Sequence, residues 1–266
     1  MISQIGGKTE APRTYVRGIQ LLQALERLSP KRGFALPPRT HVRGIPRRGL
    51  NTSELADLIK GRRSIRSWLD KSVEEDKLLQ AIELATWAPN GGNQQNWRFT
   101  VVLDKNIIKS IADAVQARAD YVASLPEVSQ LGENLALMLK RSGFFRNAPA
   151  LIAVAASPYK SPLDQISAAR EKTDPKIRQM SAWRSVADTR IQSVSSAIAY
   201  LLLVLHQMGL RAVWMTGPMQ AKGEIEKILN IPPEMDLVAF IPVGYPAESP
   251  VRRERKPVRD VTQVLK

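Results

Sequence analysis

The pattern of apolar and polar positions from residue 51 onward predicts helices and strands that follow one another along the chain. Asn51, with Glu54 three positions later, matches a capping pair at the start of a helix. Leu55 and Ile59 then share one helical face, and Gly61 stands where such a helix ends. A short helix is therefore predicted directly before the segment RRSIRSW.

A second helix is predicted from the polar pair Ser72 and Glu75, which again has the spacing of a capping box. Its apolar positions recur at helical spacing as far as Pro89, which cannot continue a helix. We expect four of these side chains to point into the core, namely Leu78, Leu79, Ile82 and Ala85.

Two continuous apolar segments predict buried strands. WRFTVVL covers residues 97–103 and PALIAVAAS covers residues 149–157, and a helical pattern over residues 107–121 lies between them. Residues 158–180 are polar and are interrupted by prolines. They are predicted to form an inserted loop or lid.

The C-terminal half contains one long apolar helix, followed by a strand, a helix and a strand. The long helix is predicted over residues 185–208, and its apolar run at 198–205 indicates burial on most sides or at a subunit contact. Gly209 is expected to end it. The later elements are predicted as a strand in AVWMTG (212–217), a helix at 221–229 and a strand in LVAFIPVGYP (237–246).

The composition excludes several classes of site. The 266 residues are 44% hydrophobic, which is enough for a packed core. The absence of cysteine excludes disulfides, cysteine-ligated metals and thiol nucleophiles. His41 and His206 are the only histidines, so we predict no catalytic triad and no metal site, and we interpret His206 as a core residue. No apolar run reaches the roughly 18 residues of a membrane span, which predicts a soluble, cytoplasmic protein.

The net charge of +14 is concentrated near the N-terminus. Residues 1–50 carry ten Lys and Arg against two acids, so they are interpreted as a basic arm, and residues 51–266 as a separate domain. One interpretation is an arm that neutralises nucleic-acid phosphates. Because no aromatic base-stacking platform accompanies the charge, we interpret the arm instead as a solvated, partly ordered extension.

Phosphate recognition is the chemistry best represented in the sequence. Neither GxxxxGK[ST] nor GxGxxG occurs, which excludes a Walker-type site and a Rossmann dinucleotide site. Guanidinium groups are concentrated in two other places, and their paired N–H donors suit a phosphate dianion. The first cluster consists of Arg62, Arg63, Ser64 and Arg66, and the second of Arg253 and Arg255. Either cluster taken alone is also typical of a solvated surface.

A polar loop stands between the second helix and the first strand. In APNGGNQQNW (88–97), a Pro-Asn-Gly-Gly turn and four amide side chains run directly into the strand. Five segments follow one another along the chain in this order: RRSIRSW, this loop, HQMGLRAVWMTGP, LVAFIPVGYP and RRERKP. The order resembles that of the nitroreductase family of FMN enzymes, over residues 51–266. One departure is Asn96, where the family commonly has proline.

The resemblance implies a fold and a cofactor. The fold would be α+β, with a mixed, largely antiparallel sheet flanked by helices, in an intertwined homodimer with two FMN sites at the subunit interface. The first basic cluster would hold the FMN phosphate and ribityl chain, and the second would complete the phosphate site. The polar loop would reach the flavin of the partner subunit, and the turn after AVWM would lie along the flavin ring. The residues implied are Arg62, Arg63, Ser64, Arg66, Pro89, Asn90, Gly91, Asn93, Gln95, Thr216, Gly217, Pro218, Arg253 and Arg255.

The resemblance also implies a reaction. FMN would accept hydride from NAD(P)H and pass it to a nitroaromatic or quinone-type acceptor in a ping-pong cycle, with no catalytic side chain beyond the flavin site. Three alternatives remain open. The same scaffold could dehydrogenate or dehalogenate a specific metabolite, it could bind flavin without turnover, or the chain could use its basic arm on nucleic acid. Residues 125–145 and 158–180 match no motif, so the identity of the physiological acceptor is not predicted.

Overall fold

The computed structural model describes residues 51–130 and 132–266. The basic arm predicted for residues 1–50 lies outside the described residues. The helices are α1 (Thr52–Gly61), α2 (Glu75–Ala85), α3 (Lys105–Ala123), α4 (Glu133–Lys140), α5 (Pro162–Arg170), α6 (Pro175–Ser185), α7 (Thr189–Gln207) and α8 (Lys222–Leu229). The strands are β1 (Trp97–Val102), β2 (Ala150–Ala156), β3 (Arg211–Ala212) and β4 (Asp236–Gly244).

The four strands form one sheet in the order β1-β2-β4-β3, and each neighbouring pair is antiparallel. Successive side chains of a strand point to opposite faces, and helices cover both faces of this sheet. The face with Ile152 and Val154 packs against α2 and α7, whereas the face with Leu151 packs against α3 and α8. This double covering explains why β2 is a continuous apolar run. The α+β fold with a largely antiparallel sheet flanked by helices is confirmed.

The first helix is capped as predicted. The side chain of Asn51 accepts a hydrogen bond from the backbone N–H of Ser53 at 3.2 Å, and Glu54 accepts one from the backbone N–H of Asn51 at 3.1 Å. The helix ends at Gly61, also as predicted. These bonds satisfy N–H groups that the first turn of a helix leaves without partners.

The capping box predicted for α2 is wrong. Glu74 stands at the N-cap instead of Ser72, and its side chain does not cap the helix. Val73 is only 5% exposed, and burial of this apolar side chain keeps the backbone extended past the predicted start. Leu79, predicted to point inward, is 49% exposed, whereas Leu78 is fully buried. The helix therefore turns a narrower apolar face to the core than the sequence predicts.

Residues 158–180 do not form the predicted loop. They fold into α5 and the first part of α6, and each helix begins with a proline directly after its N-cap residue. The N-cap residues are Ser161 and Asp174, whose side chains accept hydrogen bonds from the following backbone. Proline suits the first turn because its missing N–H would have no partner there. The prolines mark two helix starts and not a break in the structure.

The long helix α7 begins later than predicted. Asp188 adopts a left-handed conformation with φ 34°, and its side chain accepts a hydrogen bond from the backbone N–H of Ile191 at 3.1 Å. The helix therefore starts at Thr189 and not at residue 185. Gly209, with φ 80°, follows its end as predicted. Along the described residues, no helix, α7 included, combines the length and apolar character needed to cross a membrane.

The strand predicted in AVWMTG is largely replaced by irregular structure. β3 covers only Arg211 and Ala212, and the rest of the segment contributes a single bridge between Met215 and Phe240 of β4. The turn that follows is therefore attached to the edge of the sheet at one point. The predicted helix at 221–229 and the strand in LVAFIPVGYP are confirmed as α8 and β4.

The carboxylate of Glu74 should make the stability of the fold depend on pH. Glu74 accepts hydrogen bonds from the Tyr245 hydroxyl at 2.8 Å and from Lys77 Nζ at 3.2 Å. A hydrogen bond from its own backbone N–H is the largest cause, and together these bonds lower the pKa of Glu74 from 4.5 to about 2. A depressed folded-state pKa means that the ionised carboxylate stabilises the folded protein.

This stabilisation is complete above the unfolded-state pKa and disappears as pH falls from 4.5 towards about 2. We expect Glu74→Gln to lower the free energy of unfolding at neutral pH and to have a shrinking effect over that acid range. Urea unfolding at a series of pH values measures it. Glu75→Gln, in the exposed first turn of α2, is the matched control. A difference between Glu74→Gln and wild type that does not change with pH would contradict the prediction.

Candidate functional site

The Arg-rich segment RRSIRSW (62–68) is attached to the edge of the sheet. The backbone N–H of Ile65 donates to the carbonyl of Ala212 at 3.2 Å, and Trp68 forms an isolated bridge with Pro246. The indole N–H of Trp68 also donates to the carbonyl of Arg211 at 3.0 Å. Because Ile65 and Trp68 are held in this way, the arginines of the segment are fixed at the surface beside β3.

Arg62 lies in a positively charged cluster. Burial lowers its pKa, and the guanidinium groups of Arg255 and Arg63 lower it further. Burial also lowers the pKa of Arg211. In the part of the chain that the structure describes, none of these four arginines forms an ion pair with a carboxylate. Converging cations without a counter-charge favour the binding of an anion.

The remaining residues of the two basic clusters are placed less closely. Arg66 and Arg253 are exposed, and Ser64 is half-buried. Glu248 lies beside the segment, but its carboxylate accepts hydrogen bonds from the backbone N–H groups of Arg66 and Ser67 and not from a guanidinium group. The contribution of Ser64, Arg66 and Arg253 to an anion site stays a prediction.

The polar loop APNGGNQQNW has a constrained backbone. Gly92, Asn93 and Gln95 have φ values of 59°, 52° and 47°. A left-handed conformation costs a residue with a Cβ about 1–2 kcal/mol, so contacts must hold Asn93 and Gln95 in place. Asn90 supplies one, because its Oδ1 accepts from the backbone N–H of Gln95 at 3.0 Å and its Nδ2 donates to the carbonyl of Ala88 at 3.3 Å. Such strain is typical of functional loops.

One side of the loop is fixed to the N-terminal half of α7. The backbone N–H of Gly91 donates to Ser193 Oγ at 3.1 Å, and Ser196 Oγ donates to the carbonyl of Pro89 at 2.7 Å. A Cβ at position 91 would lie 2.5 Å from Thr189 Cγ2. Glycine at this position therefore allows the loop and the helix to approach each other.

The other side of the loop is fixed to the segment that leads into α5. The side-chain amide of Gln94 accepts from the backbone N–H of Lys160 at 2.9 Å and donates to its carbonyl. Asn96 is 6% exposed, and its Nδ2 donates to the carbonyl of Ser157 at 2.9 Å. The backbone N–H of Ser157 in turn donates to the carbonyl of Asn96 at 2.9 Å. The side chain of Asn96 thus has a structural role, because it joins the loop to the segment before α5.

The turn after β3 is anchored on one side and exposed on the other. Met215, which precedes it, donates its backbone N–H to the carbonyl of Phe240 at 2.8 Å. Pro218 is buried and lies in the first turn of a short 3-10 helix, whereas Thr216 and Gly217 are exposed. Exposed residues on a fixed turn are available for contact with a bound ligand.

The comparison with known proteins identifies the family. Residues 59–245 match the Nitroreductase family. This chain belongs to that family. An iodotyrosine deiodinase from Thermotoga neapolitana is 30% identical to it over 206 residues, which are 77% of this chain and 95% of the deiodinase.

Two solved structures of the nitroreductase fold align with this chain. A BluB-like flavoprotein from Clostridium difficile 630 has a TM-score of 0.68 and 25% identity, over 82% of this chain and 100% of the flavoprotein. An iodotyrosine deiodinase bound to FMN and 3-iodo-L-tyrosine has a TM-score of 0.58 and 24% identity, over 76% of this chain and 95% of the deiodinase.

In this nitroreductase-family chain, α7 separates two groups of the predicted site residues. The polar loop contacts Ser193 and Ser196 in the N-terminal half of the helix. At the other end, His206 lies in the last turn, and burial together with the positive charges of Arg211 and Arg62 lowers its pKa. A helix rises 1.5 Å per residue, so Ser193 and His206 are about 20 Å apart along its axis.

Two residues that lie beside Arg62 and Arg63 were not predicted as site residues from the sequence. His206 was interpreted as a core residue, because a lone histidine on an apolar helix usually is one. Arg211 stands apart from the Arg-rich motifs, so these motifs do not point to it. Its Nη1 donates to the carbonyl of His206 at 3.0 Å and to that of Leu210 at 2.8 Å. A cation directly after a helix is the one sequence signal for such a contact.

Large apolar side chains are exposed directly before the polar loop and on three helices. Trp87, directly before the loop, is 77% exposed. Residues 251–266, which carry the second basic cluster, are exposed throughout. Extended apolar exposure is typical of a protein contact surface. Further exposed apolar side chains on α1, α2 and α7 are Leu55, Ile59, Leu79, Leu84, Ile191 and Tyr200.

Proposed function

We propose that this protein is an FMN-dependent NAD(P)H oxidoreductase that reduces nitroaromatic or quinone-type acceptors. One observation carries the proposal. The half-buried Arg62 and the arginines around it form a positive cluster with no carboxylate ion-pair partner among residues 51–130 and 132–266. The phosphate of FMN supplies the missing charge. The deiodinase structure of the same fold is bound to FMN.

The basic residues take different parts in this proposal. Arg62, Arg63 and Arg255 hold the phosphate, because their charges converge. Ser64 and Arg66 continue along the same segment and are assigned to the ribityl chain and the adjoining edge of the flavin. Arg253, two residues before Arg255 on the exposed C-terminal segment, adds a further cation to the phosphate site.

The polar loop and the turn after β3 are assigned to the flavin ring. Pro89, Asn90 and Gly91 shape the loop, since their own polar groups are used within the chain. The exposed side chains of Asn93 and Gln95 are assigned to the ring edge. Thr216, Gly217 and Pro218 contact the ring through backbone groups. Bound FMN would supply the redox chemistry, and these groups would orient the ring and exclude water.

We infer that a complete site needs two copies of the chain. The loop and the arginine cluster contact the two ends of α7, which are about 20 Å apart. A two-fold symmetric homodimer presents the same surface from both subunits, and it can therefore bring the loop of one subunit to the cluster of its partner. The exposed Trp87 beside the loop offers an apolar surface for such a contact.

A dehalogenase is the second candidate function. The observation that favours it is the 30% identity to the iodotyrosine deiodinase from Thermotoga neapolitana over 77% of this chain. This function would use the same residues for FMN and would differ from the first in its electron acceptor. The two candidates are therefore separated by acceptor chemistry and not by cofactor content.

The visible spectrum of the purified protein, before and after anaerobic addition of NADPH or NADH, tests the proposal. We expect a yellow protein that releases FMN on denaturation, is bleached by a reduced nicotinamide, and is reoxidised by a nitroaromatic or a quinone. Reoxidation by 3-iodo-L-tyrosine alone, with release of iodide, would favour the dehalogenase.

Two other outcomes would contradict the proposed activity. A yellow protein that neither nicotinamide bleaches would be a flavin-binding protein without this turnover. A colourless protein that takes up no added FMN would mean that the arginine cluster binds some other anion, and nucleic acid would then be the next ligand to test.

A further inference from the structure

His206 lies in the last turn of α7, where the positive charges of Arg211, Arg62 and Arg63 act on its imidazole. Its Nδ1 is buried and has no hydrogen-bond partner within the described parts of the chain. Its Nε2 faces the backbone of Gly61, where a Cβ would lie 3.0 Å away. Buried polar atoms in proteins are nearly always paired. An unpaired ring nitrogen beside an anion site therefore calls for an explanation beyond packing.

Among residues 51–130 and 132–266, the charged side chains that act on His206 are all positive. Arg62 and Arg63 belong to the segment after α1, and Arg211 belongs to β3. Burial is the largest cause that lowers the pKa of His206, and Arg211, Arg62 and Arg63 lower it further. The end of α7 acts in the opposite direction, because a helix C-terminus favours a cation. The net effect lowers the pKa of His206 and so favours the neutral imidazole.

We propose that His206 is a member of the anion site, and that it gains a proton when a phosphate dianion binds to Arg62, Arg63 and Arg255. This inference rests on the proposed function. A dianion beside the ring reverses the local field and stabilises the imidazolium form. The proton comes from solvent and adds to the unprotonated ring nitrogen. His206 thereby favours a flavin that carries a phosphate over one that does not.

Protonation and dianion binding must strengthen each other by the same factor. If the dianion raises the pKa of His206 by about one unit, it binds about tenfold more tightly to the protonated form than to the neutral form. Affinity should therefore rise as pH falls through the range between the two pKa values. The second pKa of a phosphate monoester, near 6, opposes this effect at lower pH. The protonation of His206 must therefore be measured directly.

Histidine NMR gives a direct test, because the chain contains only His41 and His206. The Cε1–H signals of the full-length protein, labelled in histidine, are titrated with pH in the flavin-free state and with FMN, riboflavin or inorganic phosphate. His41→Gln assigns the two signals. We expect FMN to raise the pKa of His206 by about one unit. Riboflavin, which lacks the phosphate, should leave it unchanged.

The outcomes separate this inference from the proposed function. If FMN binds and the pKa of His206 stays the same, the inference is wrong and the proposed function stands. If FMN does not bind, the proposed function is wrong, and inorganic phosphate decides the inference. A raised pKa with phosphate supports it, and an unchanged pKa overturns it. As a second measurement, the ratio of the FMN affinities of wild type and His206→Gln should rise as pH falls through the range between the two pKa values that the NMR titration gives for His206, and a ratio that does not change with pH would contradict the inference.

Discussion

Replacing Arg62 with Ala should weaken FMN binding about 100-fold. The guanidinium group is half-buried beside Arg63 and Arg255, and it can make two parallel charge-assisted hydrogen bonds to a phosphate. Each such bond contributes about 1.5 kcal/mol or more. Losing both costs about 3 kcal/mol, and about 1.4 kcal/mol corresponds to a tenfold change in affinity. Fluorescence titration of FMN into the flavin-free variant measures the loss.

Matched variants separate charge from geometry at this position. Arg62→Lys keeps the charge but loses the planar pair of donors, so we expect a loss of about tenfold. Arg98→Ala removes an exposed arginine from β1 and should leave FMN affinity unchanged. Arg255→Ala should weaken binding more than Arg253→Ala, because Arg255 acts directly on Arg62. Unchanged affinity in Arg62→Ala would show that the phosphate binds elsewhere.

Replacing Gly91 with Ala should remove most of the activity, although Gly91 contacts the N-terminal half of α7 and the arginine cluster lies near its C-terminal end. The new Cβ would lie 2.5 Å from Thr189 Cγ2 and 2.8 Å from Tyr159 Cε2, so the loop or these side chains must shift. We expect the loop to shift and to weaken the hydrogen bond from Gly91 to Ser193. Displacement of a positioning group by about 1 Å can lower the rate about 100-fold. We expect a loss of that order in kcat/KM for NADPH and a quinone.

Gly92→Ala is the matched control for this effect. Gly92 has φ 59°, but the nearest atom to its Cβ position is 3.7 Å away, so alanine adds backbone strain of about 1–2 kcal/mol and no clash. Thr189→Ser removes the methyl group that Gly91→Ala would meet, and adding it should restore part of the activity. Wild-type kcat/KM in Gly91→Ala, or no improvement in the double variant, would contradict the steric argument.

A mixture of the two variants shows which subunit each group serves. Dimers that pair an Arg62→Ala subunit with a Gly91→Ala subunit contain one intact site if the loop of one chain completes the arginine cluster of the other. They contain no intact site if both groups act within one chain. Co-expression with two different affinity tags isolates the mixed dimers, and their FMN content and kcat/KM distinguish the arrangements.

Local physical chemistry explains which elements could be predicted from the sequence. Asn51, Gly61 and Gly209 act within one turn of the chain, so their effects on a helix end do not depend on distant residues. The predicted start of α2 was wrong because the burial of Val73 outweighed a local capping pattern. The loop predicted for residues 158–180 was wrong. A proline that opens a helix cannot be distinguished from one that breaks a helix until the N-cap residue before it is known.

The sequence by itself determined the family, most of the helices and strands, and the arginines that suit a phosphate, because these depend on side-chain type and on spacing along the chain. Only the tertiary structure decided which charged and titratable groups lie close enough to interact. Arg211 and His206 join Arg62 because the backbone of Ile65 pairs with that of Ala212, and the polar loop lies apart because its hydrogen bonds go to the other end of α7. Charges interact through space and not along the sequence.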